Sequence, residues 1–94
     1  MAAPAGGAGA APLQVSVISP ERIIFQGEAD GVVAPAWDGE IGILRGHAPL
    51  MALLGAGELR IRRGGDTERF QVAGGFLQVV DDTVTVLSER AGAL

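Results

Sequence analysis

The sequence predicts an all-β domain, a small sandwich or barrel. Three observations carry this. Apolar and polar residues alternate with period two in several short stretches, clusters of turn-forming residues separate them, and no convincing helical pattern exceeds about two turns.

In order along the chain, "LQVSV" sets Leu13, Val15 and Val17 against Gln14 and Ser16. "HAPLMALL", from His47 to Leu54, contains helix formers, but Pro49 and its short length make it a loop leading into a strand. "ELRIRR" sets Leu59 and Ile61 against Glu58, Arg60 and Arg62. "RFQVA" sets Phe70 and Val72 against Arg69 and Gln71, and "TVTVLS" sets Val84 and Val86 against Thr83 and Thr85. Each pattern is that of a strand with one buried face. Turn signals fall at Ser19-Pro20, Gly27, Asp38-Gly39, Gly55 to Gly57, Gly64 to Asp66, Gly74-Gly75 and Asp81-Asp82.

Five pairs break the alternation: Ile23-Ile24, Val32-Val33, Ile43-Leu44, Leu53-Leu54 and Val79-Val80. They place apolar residues on both faces of their strands, which a sheet with one solvated face does not need. Either strand ends and sheet edges cover one another, or a partner protein covers part of the outer surface.

The 94 residues imply one domain. Residues 1–12 are almost entirely Ala, Gly and Pro. They are expected to be a disordered tail, because they cannot bury enough surface to offset ordering entropy. Residues 13–94 then form the folded domain. With 48% hydrophobic and 19% charged residues, the chain as a whole suits a globular core. Cysteine and lysine are both absent and the net charge is −4. Disulfides and thiolate metal sites are thereby excluded. Nucleic acid is not an expected partner, because Arg60, Arg62 and Arg63 are the nearest approach to a basic cluster. There is no signal-peptide pattern and no apolar run long enough to span a membrane.

The densest motif is "GEIGILRGHAPL", Gly39 to Leu50. Its glycines, Gly39, Gly42 and Gly46, match neither phosphate-loop spacing, and no lysine is present to meet a phosphate. They are expected to serve backbone geometry at tight turns, with Pro49 stiffening the exit. His47 is the only histidine and lacks companions for a metal site. It is either a loop residue bonded to backbone or a protein contact. Trp37, beside the Asp38-Gly39 turn, is either core or a binding anchor. A paired-carboxylate site finds no support. The residues alone also leave open a free-standing binding module, or a small enzyme using Glu40 and His47.

Read with its neighbours, this motif resembles a known family. "GVVAPAWDGEIGILRGHAPLMALLGAGELRI" followed by "FQVAGGFLQVVDDTVTVLSERA" is similar to the N-terminal β-domain of the epsilon subunit of F-type ATP synthases. The pattern G-E-x-G-I-x-x-G-H-A-P-L runs from Gly39 to Leu50. G-G-x-L-x-V follows at Gly74 to Val79, then V-T-V-L at Val84 to Leu87, and "VSVISPERIIFQGEAD" fits the first two strands. The resemblance covers roughly residues 13–91.

It implies a flattened β-sandwich of about ten short, mainly antiparallel strands. It further implies a non-catalytic central-stalk rotor subunit that grips the gamma subunit and sits on the polar loops of the c subunits of the membrane rotor ring. The chain would touch the membrane only through the ATP synthase complex, on the cytoplasmic face of the inner membrane. It would couple proton translocation to ATP synthesis and need no cofactor or metal. Trp37, Asp38, Gly39, Glu40, Arg45 and His47 would be the contact residues, with Gly42, Gly46 and Pro49 shaping the loop. Many members continue into a helical hairpin that inhibits ATP hydrolysis and in some cases binds ATP. Here "SERAGAL" follows the last expected strand, about 10 Å of chain if helical. The expectation is therefore neither self-inhibition nor ATP binding.

Overall fold

The predicted alternation becomes eight strands in a computed structural model that describes residues 12–93. They are β1 (Leu13–Ile18), β2 (Ile23–Ala29), β3 (Gly31–Ala36), β4 (Gly39–Leu44), β5 (Leu50–Leu53), β6 (Ala56–Arg63), β7 (Asp66–Val80) and β8 (Thr83–Ala93). The described residues contain no helix. Apart from Pro12, the expected tail lies outside the described residues.

Hydrogen bonding joins the strands in the order β2-β1-β8-β7-β6-β3-β4, with β5 on a further edge of β7. Every pairing is antiparallel except β1 with β8, which is parallel. The sheet becomes a sandwich because β7 and β8 bend. Residues 66–73 of β7 pair with β6, whereas residues 76–79 pair with β5. β8 pairs with β1 over Thr83–Leu87 and reaches Arg90–Ala93 beside the first half of β7. One layer is therefore β2, β1, the start of β8, the end of β7, and β5. The other is the end of β8, the start of β7, β6, β3 and β4.

Three expectations need correction. The strands number eight rather than about ten, because Gly74-Gly75 is a bend within one long strand and not a turn between two. The segment after Leu87 is not beyond the last strand, since β8 continues to Ala93 paired with β7. Gly27, read as a turn signal, also lies within β2.

The bend has a chemical cause. Gly74 and Gly75 sit at φ 72° and 99°, and the register skips from Ala73↔Arg90 to Gly75↔Ser88. The buried Ser88 hydroxyl closes the gap. It accepts the Ala73 N–H at 3.2 Å, and the Arg90 carbonyl stands 2.5 Å away to receive its proton. Ser88→Val orphans both groups and adds a methyl to a buried site. Chemical denaturation should show a loss of about 2–3 kcal/mol, against about 1–2 for Ser88→Ala, which leaves room for water.

The core lies between the layers. Leu13, Val15 and Val17 of β1 meet Leu77 and Val79 of β7 and Val84 and Val86 of β8 on one side. Val32, Ile43, Leu59, Ile61, Phe70 and Val72 face them. Full burial of each such side chain contributes about 1.5–3 kcal/mol. Phe25 of β2 closes one flank against Phe70, with ring centroids 5.7 Å apart, and the Arg63 guanidinium covers the Phe25 ring.

The doubly apolar pairs resolve in this frame. Val79, Ile43 and Leu54 are buried, while Val80, Leu44 and Leu53 beside them point outward and are exposed.

Candidate functional site: an apolar belt and a polar edge

The outward phase of the first layer collects apolar side chains into a row. Leu53 of β5 lies opposite Phe76 of β7, Phe76 opposite Leu87 of β8, and Leu87 opposite Ile18 of β1. Opposed residues share a face, so the four form a transverse belt across three strand spacings, about 15 Å. Leu53 is 61% exposed, and Phe76 and Leu87 are each 37% exposed. The four line one shallow depression together with Pro20 and Ser19 of the β1–β2 turn. That turn is held by reciprocal bonds between Ser19 and Arg22. Pro20 in its second position supplies the φ the turn requires.

Trp37 stands near the end of β5. The β3–β4 hairpin turns at Trp37-Asp38, with Ala36 paired to Gly39. The Trp37 N–H donates to the Leu53 carbonyl at 3.0 Å, which ties the hairpin tip to the end of β5. The indole is 73% exposed. Of the two readings left open for Trp37, the core reading is excluded.

The "GEIGILRGHAPL" stretch is not one loop. Its first half is β4, at one end of the sheet path. Ile41 and Ile43 face the core, while Glu40, Gly42 and Leu44 are exposed. Gly42, expected at a tight turn, has ordinary extended backbone with nothing near where a Cβ would stand. Only the second half, Arg45 to Pro49, is a loop. The strand spans about 17 Å, so the expected contact residues separate into two groups. Trp37, Asp38, Gly39 and Glu40 stand at one end; Arg45, Gly46, His47 and Pro49 stand at the other.

At the first end Glu40 is engaged within the chain. Its carboxylate lies 3.6 Å from Arg60, which also meets Glu58 at 3.2 Å, and Glu58 lies 3.7 Å from Arg69. All four side chains are at least a third exposed, so each pair contributes about 0–1 kcal/mol. At the other end Gly46 turns at φ 81°, and the His47 N–H donates to the Leu44 carbonyl at 3.2 Å. His47 Nδ1 lies 2.8 Å from the Ala48 carbonyl. A carbonyl only accepts, so Nδ1 carries the proton in this bond.

An acid–base pair needs its groups within hydrogen-bond reach of a common point. Glu40 and His47 lie on opposite sides of four extended steps, about 14 Å, so they cannot act together. Among the described residues no cluster of three or more potential metal ligands occurs.

Sequence reasoning missed the belt residues Ile18, Phe76 and Leu87. Their signal was phase: each is apolar where its strand's polar side should be. Nor does the Asp81-Asp82 turn signal reveal that the Asp82 carboxylate reaches Gly46.

Comparison with known proteins agrees with this architecture. A family model for the β-sandwich domain of the ATP synthase delta/epsilon chain matches residues 12–93. The ATP synthase epsilon chain of Leptospira borgpetersenii is 51% identical over 82 residues, covering 87% of this chain and 64% of that protein. That of Rhodopirellula baltica is 49% identical over 75 residues, covering 80% and 59%. The chain thus spans about three-fifths of the length of these relatives. Among solved structures, a chain of the Euglena gracilis mitochondrial ATP synthase OSCP/F1/c-ring assembly superimposes with a TM-score of 0.82 at 24% identity. The match covers 99% of this chain and 62% of that one. A chain of the Tetrahymena thermophila central stalk/c-ring assembly gives 0.74 at 17% identity, covering 87% and 66%. At such identities these two likenesses establish the fold. With the family match across all the described residues, the chain belongs to the ATP synthase delta/epsilon chain β-sandwich family.

Proposed function

We propose that this chain is the β-sandwich of a central-stalk rotor subunit of F-type ATP synthase. It binds the gamma subunit and rests on the c subunits of the rotor ring. It couples proton translocation to ATP synthesis and performs no chemistry itself. The observation that carries the reading is the apolar belt of Leu53, Phe76, Leu87 and Ile18. A row of that kind on an outer face is a surface to be covered, and gamma is the partner assigned to it. The β4 edge is assigned to the ring, with Glu40 at one end and Arg45 and His47 at the other. In a bacterium this places the chain peripherally on the cytoplasmic face of the inner membrane, held there by the complex.

The test is reconstitution with gamma and the c ring of the same organism. The chain should co-elute with gamma alone and with the gamma–ring assembly. Failure to join either would overturn the proposal.

The ring assignment has its own test. Glu40→Lys and His47→Ala should each weaken association with the ring about two- to tenfold, while thermal melting stays within about 2 °C. The Glu40 effect should shrink as salt rises, because the contact is exposed. A sharp fall in melting temperature for His47→Ala with ring association intact would make His47 a stability residue.

A further inference from the structure

We infer that Asp82 is a positioning residue that holds the Arg45–Pro49 loop in the shape its partner recognises. The inference rests on the reading that this loop meets the rotor ring, and it adds the residue on which that contact depends.

The loop is poorly tied by its own residues. Pro49 has no N–H, and the bonds of His47 reach only Leu44 and Ala48. Among the described residues, one hydrogen bond links the loop's five residues to a part of the chain other than the strand it leaves. The Gly46 N–H donates to Asp82 Oδ1 at 2.7 Å, across 36 residues of sequence. A carboxylate acceptor makes this a charge-assisted bond. It also fixes the amide at the point where Gly46 adopts φ 81° and redirects the chain toward His47.

Asp82 is itself anchored, and in a demanding conformation. It occupies the second position of the two-residue β7–β8 hairpin, between Val80 and Thr83, with Asp81 at φ 49° and Asp82 at φ 58°. Turns of this kind favour Asn-Gly or Asp-Gly, and glycine would fit the second position without strain. The Asp82 carbonyl accepts the Gln14 N–H at 2.8 Å, which pins the turn to β1. A side chain is thus kept at a left-handed position where the turn itself would favour none. The carboxylate that results is, among the described residues, the one side chain that hydrogen-bonds to the loop from elsewhere in the fold. Local strain of this kind beside a shaped surface supports a positioning role.

Asp82→Gly separates positioning from stability, because the two effects have opposite signs. It relieves the turn but removes the acceptor. The melting temperature should hold or rise. The Gly46 amide should exchange with solvent about tenfold faster in the isolated chain. Association with the gamma–ring assembly should weaken about fivefold, the equilibrium worth of one hydrogen bond. Asp82→Asn retains an acceptor and tolerates the left-handed backbone, so it should stay within about twofold of the parent in both measurements. A marked fall in melting temperature for Asp82→Gly would make Asp82 a stability residue and overturn the inference. Unchanged ring association would overturn it as well. His47→Ala, measured alongside, then tells which idea failed. If it weakens association, only the role of Asp82 is wrong; if it does not, the loop does not meet the ring.

Discussion

Gly75→Ala is expected to cost about 3–6 kcal/mol, enough to leave a domain of this size largely unfolded. Two independent penalties combine. Gly75 sits at φ 99°, where a residue with a Cβ is strained by about 1–3 kcal/mol. An added Cβ would also stand 1.9 Å from the Leu87 carbonyl oxygen and 2.9 Å from its carbon. Those atoms are backbone of the neighbouring strand and cannot rotate away, so β7 and β8 must part where both layers depend on them. The control is Gly42→Ala on β4, where nothing lies within 4 Å. That substitution should change stability by about 0.5 kcal/mol or less. Urea unfolding followed by circular dichroism measures both. A Gly75→Ala domain within about 1 kcal/mol of the parent would mean that the bend is not the joint between the layers.

A second large effect is expected on binding rather than folding. Leu53→Glu combined with Phe76→Glu places two charges in the centre of the belt. Central, well-packed apolar anchors carry most of an interface's energy, and removing them typically loses 2 kcal/mol or more apiece, about 30-fold each. Affinity for gamma should fall by more than about 100-fold. Stability should fall by only about 1–2 kcal/mol, because Leu53 is already 61% exposed and Phe76 37%. Gln78→Glu, on the same face in the next row, should alter gamma affinity less than about twofold. Titration calorimetry with isolated gamma decides. If the double variant binds as the parent does, the belt is not the gamma surface.

How much of this could be read beforehand depended on how local the cause was. β1, β6 and the start of β8 were legible because Leu13–Val15–Val17, Leu59–Ile61 and Val84–Val86 alternate without interruption. β4 was obscured by its own glycines. Ile41 and Ile43 do alternate with Glu40, Gly42 and Leu44, but three glycines within eight residues read as a loop. The Gly74-Gly75 bend looks like a turn in sequence, since both need the same positive φ. Only the presence of β8 on both sides of it makes β7 one strand. The outward apolar residues were visible as doubled pairs. That they join into a single belt depends on strand register, set by partners far away in the chain. The Asp82–Gly46 bond is of the same non-local kind.

The parallel pairing of β1 with β8 sets the order in which the chain can acquire its structure during synthesis. β1 is made first among the described strands, yet the slot beside it is filled by Thr83–Leu87 near their end. Until those residues leave the ribosome, the β1–β2 hairpin keeps an open edge and an unmatched row of Leu13, Val15 and Val17. The end of β7 waits beside the same vacancy, because β8 is its partner as well. No subset of the earlier strands therefore closes a core, and folding waits until β8 has emerged. The nascent chain spends that interval with bare strand edges and apolar faces, the condition that most invites aggregation and most needs a chaperone.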